Sequence, residues 1–365
     1  MAVLDKSSPP RPAAARVAGR PAVRIGPFSV VWRPRTVLVL GIGLAVLVLA
    51  MALNIGRGDF PISVGEVLSV LAGGGDAGQR FIVMDLRLPR SLTGLLVGAA
   101  LAVAGAITQS IARNPLASPD MIGFTAGASA AAVAVIVLGG GAVEFLGAAG
   151  LPVAALVGGL LSAFAIYGLA WRRGVHGFRL VLVGIGVNVT LTAVVHWLLV
   201  VAGITEAARA YVWLNGSLNG RGWDHVVPVA IALAVLVPAA LLLAHVLGGL
   251  QFGDDTARGL GIPVDRSRTA LLVVAVGLAS VATASAGPIA FVALVAPQIS
   301  QRLVGSARPP IAVSLVVGAA LTVVADLIAR TAFGATELPV GIVTAVLGAP
   351  YLLFLIARYG REARG

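Results

Sequence analysis

Long apolar runs separated by short polar breaks set the pattern of this chain. Runs long enough to span a bilayer fall at 37–54, 92–111, 121–138, 151–171, 180–201, 226–247, 269–287, 288–304, 311–330 and 339–357. About 20 helical residues at 1.5 Å each cross a hydrocarbon core of roughly 30 Å. The runs do not alternate apolar and polar residues as a membrane strand does, and a helix satisfies every backbone group within lipid. The pattern therefore predicts an all-α, polytopic membrane protein with about ten transmembrane helices. The eighth run is short and carries Pro288 and Pro297, which makes it the weakest of the ten. Residues 1–35 are rich in Pro, Ala and Arg, have no apolar core, and are expected to form a disordered cytoplasmic tail rather than a cleavable signal. Residues 36–358 then form the ten-helix domain, and 359–365 a second cytoplasmic tail.

Composition supports this division. Of the 365 residues, 58% are hydrophobic and 11% charged, against about a quarter charged in soluble domains. The net charge of +11 is no sign of nucleic-acid binding, because the arginines sit at span ends and in the N-terminal tail without interleaved aromatics. With the N-terminus inside, 19 of the 26 basic residues fall in cytoplasmic segments and six in outer ones, with Arg330 at the end of the ninth span. That bias places both termini inside. There are no cysteines, which excludes disulfides, thiolate metal sites and catalytic thiols. The 46 glycines suit close helix approach in a bilayer. "VGAAL" occurs twice, at 97–101 and 317–321, and is read as a recurring small-residue packing face.

Catalytic chemistry is hard to find. The chain has no phosphate-binding G-x-x-x-x-G-K-[ST] loop and no H-E-x-x-H, and its four histidines (His176, His196, His225, His245) are scattered. Asp326 is the one carboxylate inside the ten runs, four residues before Arg330, and reads as half of an i,i+4 ion pair near the outer surface. A membrane enzyme lacks an acid–base pair. A stand-alone secondary transporter lacks a proton or sodium site. No cofactor or metal is expected in this chain.

Three stretches carry a family likeness: "RLPRSLTGLLVGAALAVAGAITQSIARNPLASPDMIGFTAGA" at 87–128, "GPIAFVALVAPQISQRLVG" at 287–305 and "ADLIARTAFGATELPVGIVTAVLGAPYLLFLI" at 325–356. Over roughly 37–357 the chain resembles the FecCD-type permease subunits of bacterial ABC importers for ferric siderophores, cobalamin and haem. The order and spacing of "RLPR", "NPLA", "ELPVG" and "LGAP" carry the likeness. It implies the type II ABC importer permease fold in the cytoplasmic membrane and pairing with a second permease subunit, identical or homologous. It also implies two cytoplasmic ATPase subunits that bind the ATP-Mg, and an extracytoplasmic substrate-binding protein. The implied cargo is a ferric siderophore, with cobalamin or haem as the alternative, and the path would be lined by small and apolar residues.

The likeness also assigns roles to segments whose composition admits plainer readings. The charged break at 248–268 is by composition a solvated cytoplasmic loop. By resemblance it is the coupling segment, with a short helix near Asp254–Leu260 that is ended by Gly259 and Gly261 and blocked by Pro263. Asp254, Asp255, Arg258, Leu260 and Gly261 would meet an ATPase cleft. Arg87, Arg90 and Arg330 lie at the outer ends of spans two and nine. They would anchor to headgroups or, by resemblance, dock acidic side chains of the binding protein. "RNPLASP" (113–119) and "RRGVHGFR" (172–179) are turns on the cytoplasmic side. By resemblance Asn114, Leu116, Val175, His176, Gly177 and Phe178 would form a gate there. Glu337 is given a structural role beside these arginines, and Trp213 and Trp223 are read as an interfacial aromatic belt.

Overall fold

The computed structural model describes residues 22–25, 28–31, 33–58, 60–139, 150–171, 177–334 and 336–362. Each apolar run becomes a helix in the predicted order. These are α1 (Pro34–Gly56), α4 (Leu88–Ala112), α5 (Phe124–Leu138), α6 (Gly150–Ala170), α7 (Gly177–Val201), α9 (Trp223–Leu242), α12 (Val264–Ala286), α13 (Val292–Val304), α14 (Ile311–Thr331) and α15 (Val340–Glu362). Among the described residues, eight helices are long and apolar enough to cross a membrane, the second of them running continuously from Ala77 to Ala112. The connections hold α2 (Val64–Leu71), α3 (Ala77–Arg80), α8 (Ile204–Leu214), α10 (Ala244–Leu250) and α11 (Asp254–Gly259).

Three features depart from the sequence expectation. Within the predicted disordered tail, Ala22–Ile25 and Phe28–Val31 pair as an antiparallel hairpin, β1 and β2, in register Ala22↔Val31. Their valine, isoleucine and phenylalanine content favours strands, which a reading of Pro, Ala and Arg content passed over. The break between the first two runs is largely helical. Ser63 with Glu66 and Asp76 with Gln79 form capping boxes that start α2 and α3. A π-helical turn, Phe81–Arg87, then joins α3 to α4. The eighth run is only partly helix. The 13 residues of α13 rise about 20 Å, and the preceding Gly287–Phe291 is non-helical, with Gly287 at φ 75° and Phe291 at φ 67°. Such backbone survives at membrane depth only when protein covers it. Here the Gly216 turn covers it: a methyl on Gly216 would strike the Pro288 carbonyl, and one on Gly287 the Trp213 carbonyl.

The centre of the bundle is α4. Along its central stretch 83% of the residues are buried, against 11% for α1, so α4 is enclosed by the other helices and α1 is mostly exposed. Around α4 pack α14, α12, α13 and α9, while α5 pairs with α6 and α7, and α1 lies on α14. Lipid supplies no hydrophobic drive between helices, so close backbone approach must hold them. The two VGAAL stretches supply it. A methyl on Gly98 would strike the Gly318 carbonyl and Thr322, and one on Gly318 would strike the Gly98 carbonyl and Ala102. At Gly105 a methyl would overlap the Ala293 carbonyl of α13.

Gly98→Val and Gly105→Val should each destabilise the bundle by at least the about 1–3 kcal/mol typical of overpacking, since backbone rather than a side chain would have to move. Gly41→Val, on the α1 face where nothing lies within 4 Å, should be neutral. Thermal midpoints of the detergent-purified variants check this, and equal midpoints for Gly41→Val and Gly105→Val would refute it.

Candidate functional site at the two ends of the bundle

Arg90 and Arg113 lie at opposite ends of α4, so the charged clusters around them mark the two ends of the molecule. At the Arg113 end sits α11. Gly253, at φ 102°, turns the chain into it. Ile262 N–H donates to Ala257 O, Gly261 N–H donates to Arg258 O, and Gly261 has φ 79°. That is a Schellman stop. It falls at Gly261, while Gly259 remains inside the helix. Pro263 immediately precedes α12.

The charged residues of this segment divide into two sets. Asp254 points inward, accepting from Arg113 Nη2 at 2.7 Å and Arg268 Nη2 at 2.9 Å. Arg113 Nε also donates to Leu250 O at 3.0 Å, capping α10. Asp254 thereby ties α11 to the ends of α4 and α12. Asp255 and Leu260 are exposed, and Arg258 is exposed 3.4 Å from Asp255 and 4.0 Å from Asp265. Phe252 is also exposed. Asp254 and Asp255, expected side by side at a partner, differ in their surroundings. Asp254 is occupied in a clamp, and the outward set is Phe252, Asp255, Arg258 and Leu260.

Beside the clamp, a cavity of about 330 Å³ is lined by Gln109, Asn114, Pro115, Gln298 and Gln301 among others. Gln298 donates to Gln109 Oε1 at 2.7 Å, and Gln109 to Leu294 O at 3.0 Å, bridging α4 and α13. Asn114 Oδ1 accepts from Leu116 N–H at 2.9 Å, which fixes the turn after α4. Of the other expected gate residues, Gly177 begins α7 and Phe178 is exposed. Val175 and His176 lie outside the described residues. The glutamine bridge was missed because neither residue stands in a charged or motif-like context. Asp120, in the turn leading to α5, was missed as well. Burial pushes its carboxyl up to about 6, against a hydrogen bond from Thr125.

At the Arg90 end, the three arginines expected to face outward are turned into the protein. Arg87 donates to Ile55 O at 2.8 Å and Phe60 O at 2.7 Å, and Arg330 donates to Asn54 O at 2.5 Å and to Asn54 Oδ1. Both cap the negative C-terminal end of α1. Arg90 reaches Asp326 at 2.9 Å and Glu337 at 2.9 Å. Asp326 also accepts from Asn54 at 3.1 Å. The i,i+4 pair with Arg330 is present but long, at 3.7 Å, so the first partner of Asp326 comes from α4. Asp326 is 1% exposed, which places this cluster inside the protein rather than at a headgroup surface. The two tryptophans also separate. Trp213 is buried, and Trp223 donates to Met84 O at 3.1 Å.

Two outcomes follow. Asp326→Asn leaves Arg90 and Arg330 without their shared counter-charge and should cost about 3–5 kcal/mol, read as a lower thermal midpoint in nanodiscs. A midpoint equal to wild type would show that the cluster is not holding the helices. At the other end, burial raises the Asp254 carboxyl, but the bonds and charges of Arg268 and Arg113 outweigh it, and its pKa lies below the ordinary 3.8. Such a group stabilises the fold above its unfolded pKa, and the contribution is lost as pH falls through the folded value. Asp254→Asn should therefore lower the midpoint at neutral pH and flatten its decline below about pH 4. Parallel pH profiles for the two proteins would contradict this.

Known proteins share this architecture. The model of the FecCD transport family matches residues 46–358. The ferric enterobactin transport system permease protein FepG of Escherichia coli is 43% identical over 84% of this chain and 91% of its own. The achromobactin transport system permease protein CbrC of Dickeya dadantii is 41% identical over 92% of this chain and 95% of its own. A solved inward-facing structure of a metal-chelate type ABC transporter superposes with a TM-score of 0.74 at 26% identity, covering 88% of this chain and 99% of that one. With a family match across residues 46–358 and a superposition that covers most of both chains, this chain belongs to the FecCD transport family and has the type II ABC importer permease fold.

Proposed function

We propose that this chain is the membrane conduit of an ATP-binding-cassette importer for a ferric siderophore. The supporting relatives transport enterobactin and achromobactin complexes, and the likeness to each covers nearly the whole permease. The observation that carries the mechanism is the Asp254 clamp. A short helix held against α4 and α12 transmits force only if it cannot swing freely, and two arginines on two different helices hold it. Its outward set of Asp255, Arg258 and Leu260, with Gly261 fixing the exit, is the surface offered to an ATPase subunit. Binding and hydrolysis of ATP-Mg belong to that subunit. A second permease copy or homologue completes the path.

By the positive-inside bias this end faces the cytoplasm, and the Arg90 end faces the binding protein. Arg87, Arg90 and Arg330 act in docking as positioning groups, because their guanidiniums already hold α1, α14 and the Glu337 loop. Asn114 and Leu116, with Val175, His176, Gly177 and Phe178, close the cytoplasmic side. The chain itself performs no covalent chemistry.

Arg258→Glu in the reconstituted importer should leave the permease inserted and the ATPase active while cutting siderophore uptake by about tenfold or more, as like charge at a docking contact costs several kcal/mol. ATPase assay and radio-iron uptake on the same vesicles measure the two. Wild-type uptake in that variant would remove the segment from the mechanism.

A further inference from the structure

At the Arg113 end of the bundle, which the charge bias places inside, four arginines from separate segments come together without an acid. Arg33 is the N-cap of α1 and Arg35 lies in its first turn. Arg302 is in the last turn of α13, and Arg308 is in the link from α13 to α14. Arg35 reaches across to α13, donating from Nε to Leu303 O at 2.6 Å and from Nη2 to Arg302 O at 3.2 Å. Arg308 donates to Ala244 O at the start of α10. Burial, and then the like charge of Arg33, hold the Arg308 guanidinium below its ordinary value. Among the described residues none of the four is in an ion pair, whereas Arg113 has Asp254 and Arg330 has Asp326. The sequence explains why: neither 33–58 nor 292–325 contains an Asp or Glu.

These cations are positioned and still have donors to offer. Arg35 spends two of its three nitrogens on carbonyls. Arg302 Cζ lies 5.5 Å from the ring centres of both Tyr351 and Phe354 of α15, and neither Arg33 nor Arg302 donates to a protein oxygen among the described residues. With Arg35 covering the last carbonyls of α13, the negative end of that helix is not what an approaching anion meets. Next to the arginines begins the apolar face of α1, where Val37, Leu38 and Ile42 are all exposed. Guanidiniums at one level and an exposed apolar helix face beyond them match a molecule with an anionic head and apolar tails. Arginine takes phosphate oxygens in bidentate geometry, and anionic headgroups attract basic residues at this depth. A second copy of the chain fits poorly here, because it carries the same net charge of +11 and would bring the same four cations.

We propose that Arg33, Arg35, Arg302 and Arg308 bind an anionic phospholipid of the cytoplasmic leaflet, its phosphate among the guanidiniums and its acyl chains along the exposed face of α1. One headgroup then bridges the start of α1, the end of α13 and the loop that holds α10. Arg33 and Arg35 precede the residues 46–358 that the family model matches, so half of the site lies outside the stretch shared with the family.

The test uses the full-length permease in bilayers with two spin-labelled probes, phosphatidylglycerol and phosphatidylcholine, whose motionally restricted fractions are read by electron paramagnetic resonance. Wild type should prefer phosphatidylglycerol about fivefold or more, and rising salt should shrink the preference. Arg33→Gln with Arg302→Gln removes no capping bond and should bring the two probes to within about twofold of each other. Arg33→Lys with Arg302→Lys should restore most of the preference. Phosphatidylcholine should bind equally to all of these proteins, which checks that they are folded. Arg179→Gln, which removes a cation of α7 outside the cluster, should leave the preference unchanged. Equal binding of the two probes to wild type would overturn the assignment. So would equal losses in Arg179→Gln and the double glutamine variant, which would reveal only a diffuse attraction to the inner surface. Displacement of the lipid by inorganic phosphate beyond that caused by chloride of equal ionic strength would make the cluster a site for a free anion instead. Loss of the preference once the ATPase subunits assemble on the permease would show that protein, not lipid, covers these arginines.

Discussion

The constraint on which the structure depends is how closely α4 can approach its neighbours. Hydrocarbon surrounds the bundle and gives apolar side chains nothing to gain by leaving it. Cohesion must come from dispersion at short range and from satisfied polar groups. Gly98, Gly105 and Gly318 permit backbones to touch where any side chain would collide. With the backbones that near, the hydroxyls along α4 turn back on their own helix, as Thr93 does to Pro89 O and Thr108 to Ala104 O. The same tight centre leaves room for the glutamine bridge between α4 and α13.

Arginine has one recurring use in this molecule: it finishes helices. Arg35 donates to Leu303 O at the end of α13, Arg113 to Leu250 O at the end of α10, and Arg87 and Arg330 to the end of α1. The last four carbonyls of a helix have no partner within it, and a guanidinium reaches them with several donors at once. In a membrane the unsatisfied alternative is costlier than in water. The charge pattern along the chain therefore has two origins. Topology concentrates cations on one side, while capping places a few on the other. Arg87, which breaks the charge rule, is accounted for by the second, and Arg90 by its pairing with Asp326 and Glu337.

This division separates the two working ends. At one, the charges are arranged to hold a short helix stiffly while leaving Asp255, Arg258 and Leu260 outside. At the other, a buried cluster around Asp326 locks α1, α4 and α14, and beside it lies a cavity lined by Arg209 and Arg221. Rigidity and availability are thus assigned to different residues within a few turns of each other. Asp254 and Asp255 show it most directly, as adjacent carboxylates with opposite tasks.

The order and approximate ends of the long apolar helices were legible in the sequence, because burial in lipid acts on each run locally and its length is set by bilayer thickness. The two VGAAL stretches were legible as small-residue packing faces, and the end of the short helix Asp254–Gly259 was marked by the glycine and proline that follow it. What the linear pattern could not hold was which groups meet across the bundle. Asp326 was assigned to Arg330, its neighbour four residues on, because i,i+4 is the distance that a sequence displays. Its stronger partner, Arg90, lies 236 positions away. Trp213 looked interfacial because an aromatic beside polar residues reads alike whether it faces lipid headgroups or lines a chamber. Local periodicity determined the elements. Only tertiary packing decided which cations were spent on carbonyls, which on carboxylates, and which were left facing open space, since that depends on contacts between helices whose sequence separation carries no signal.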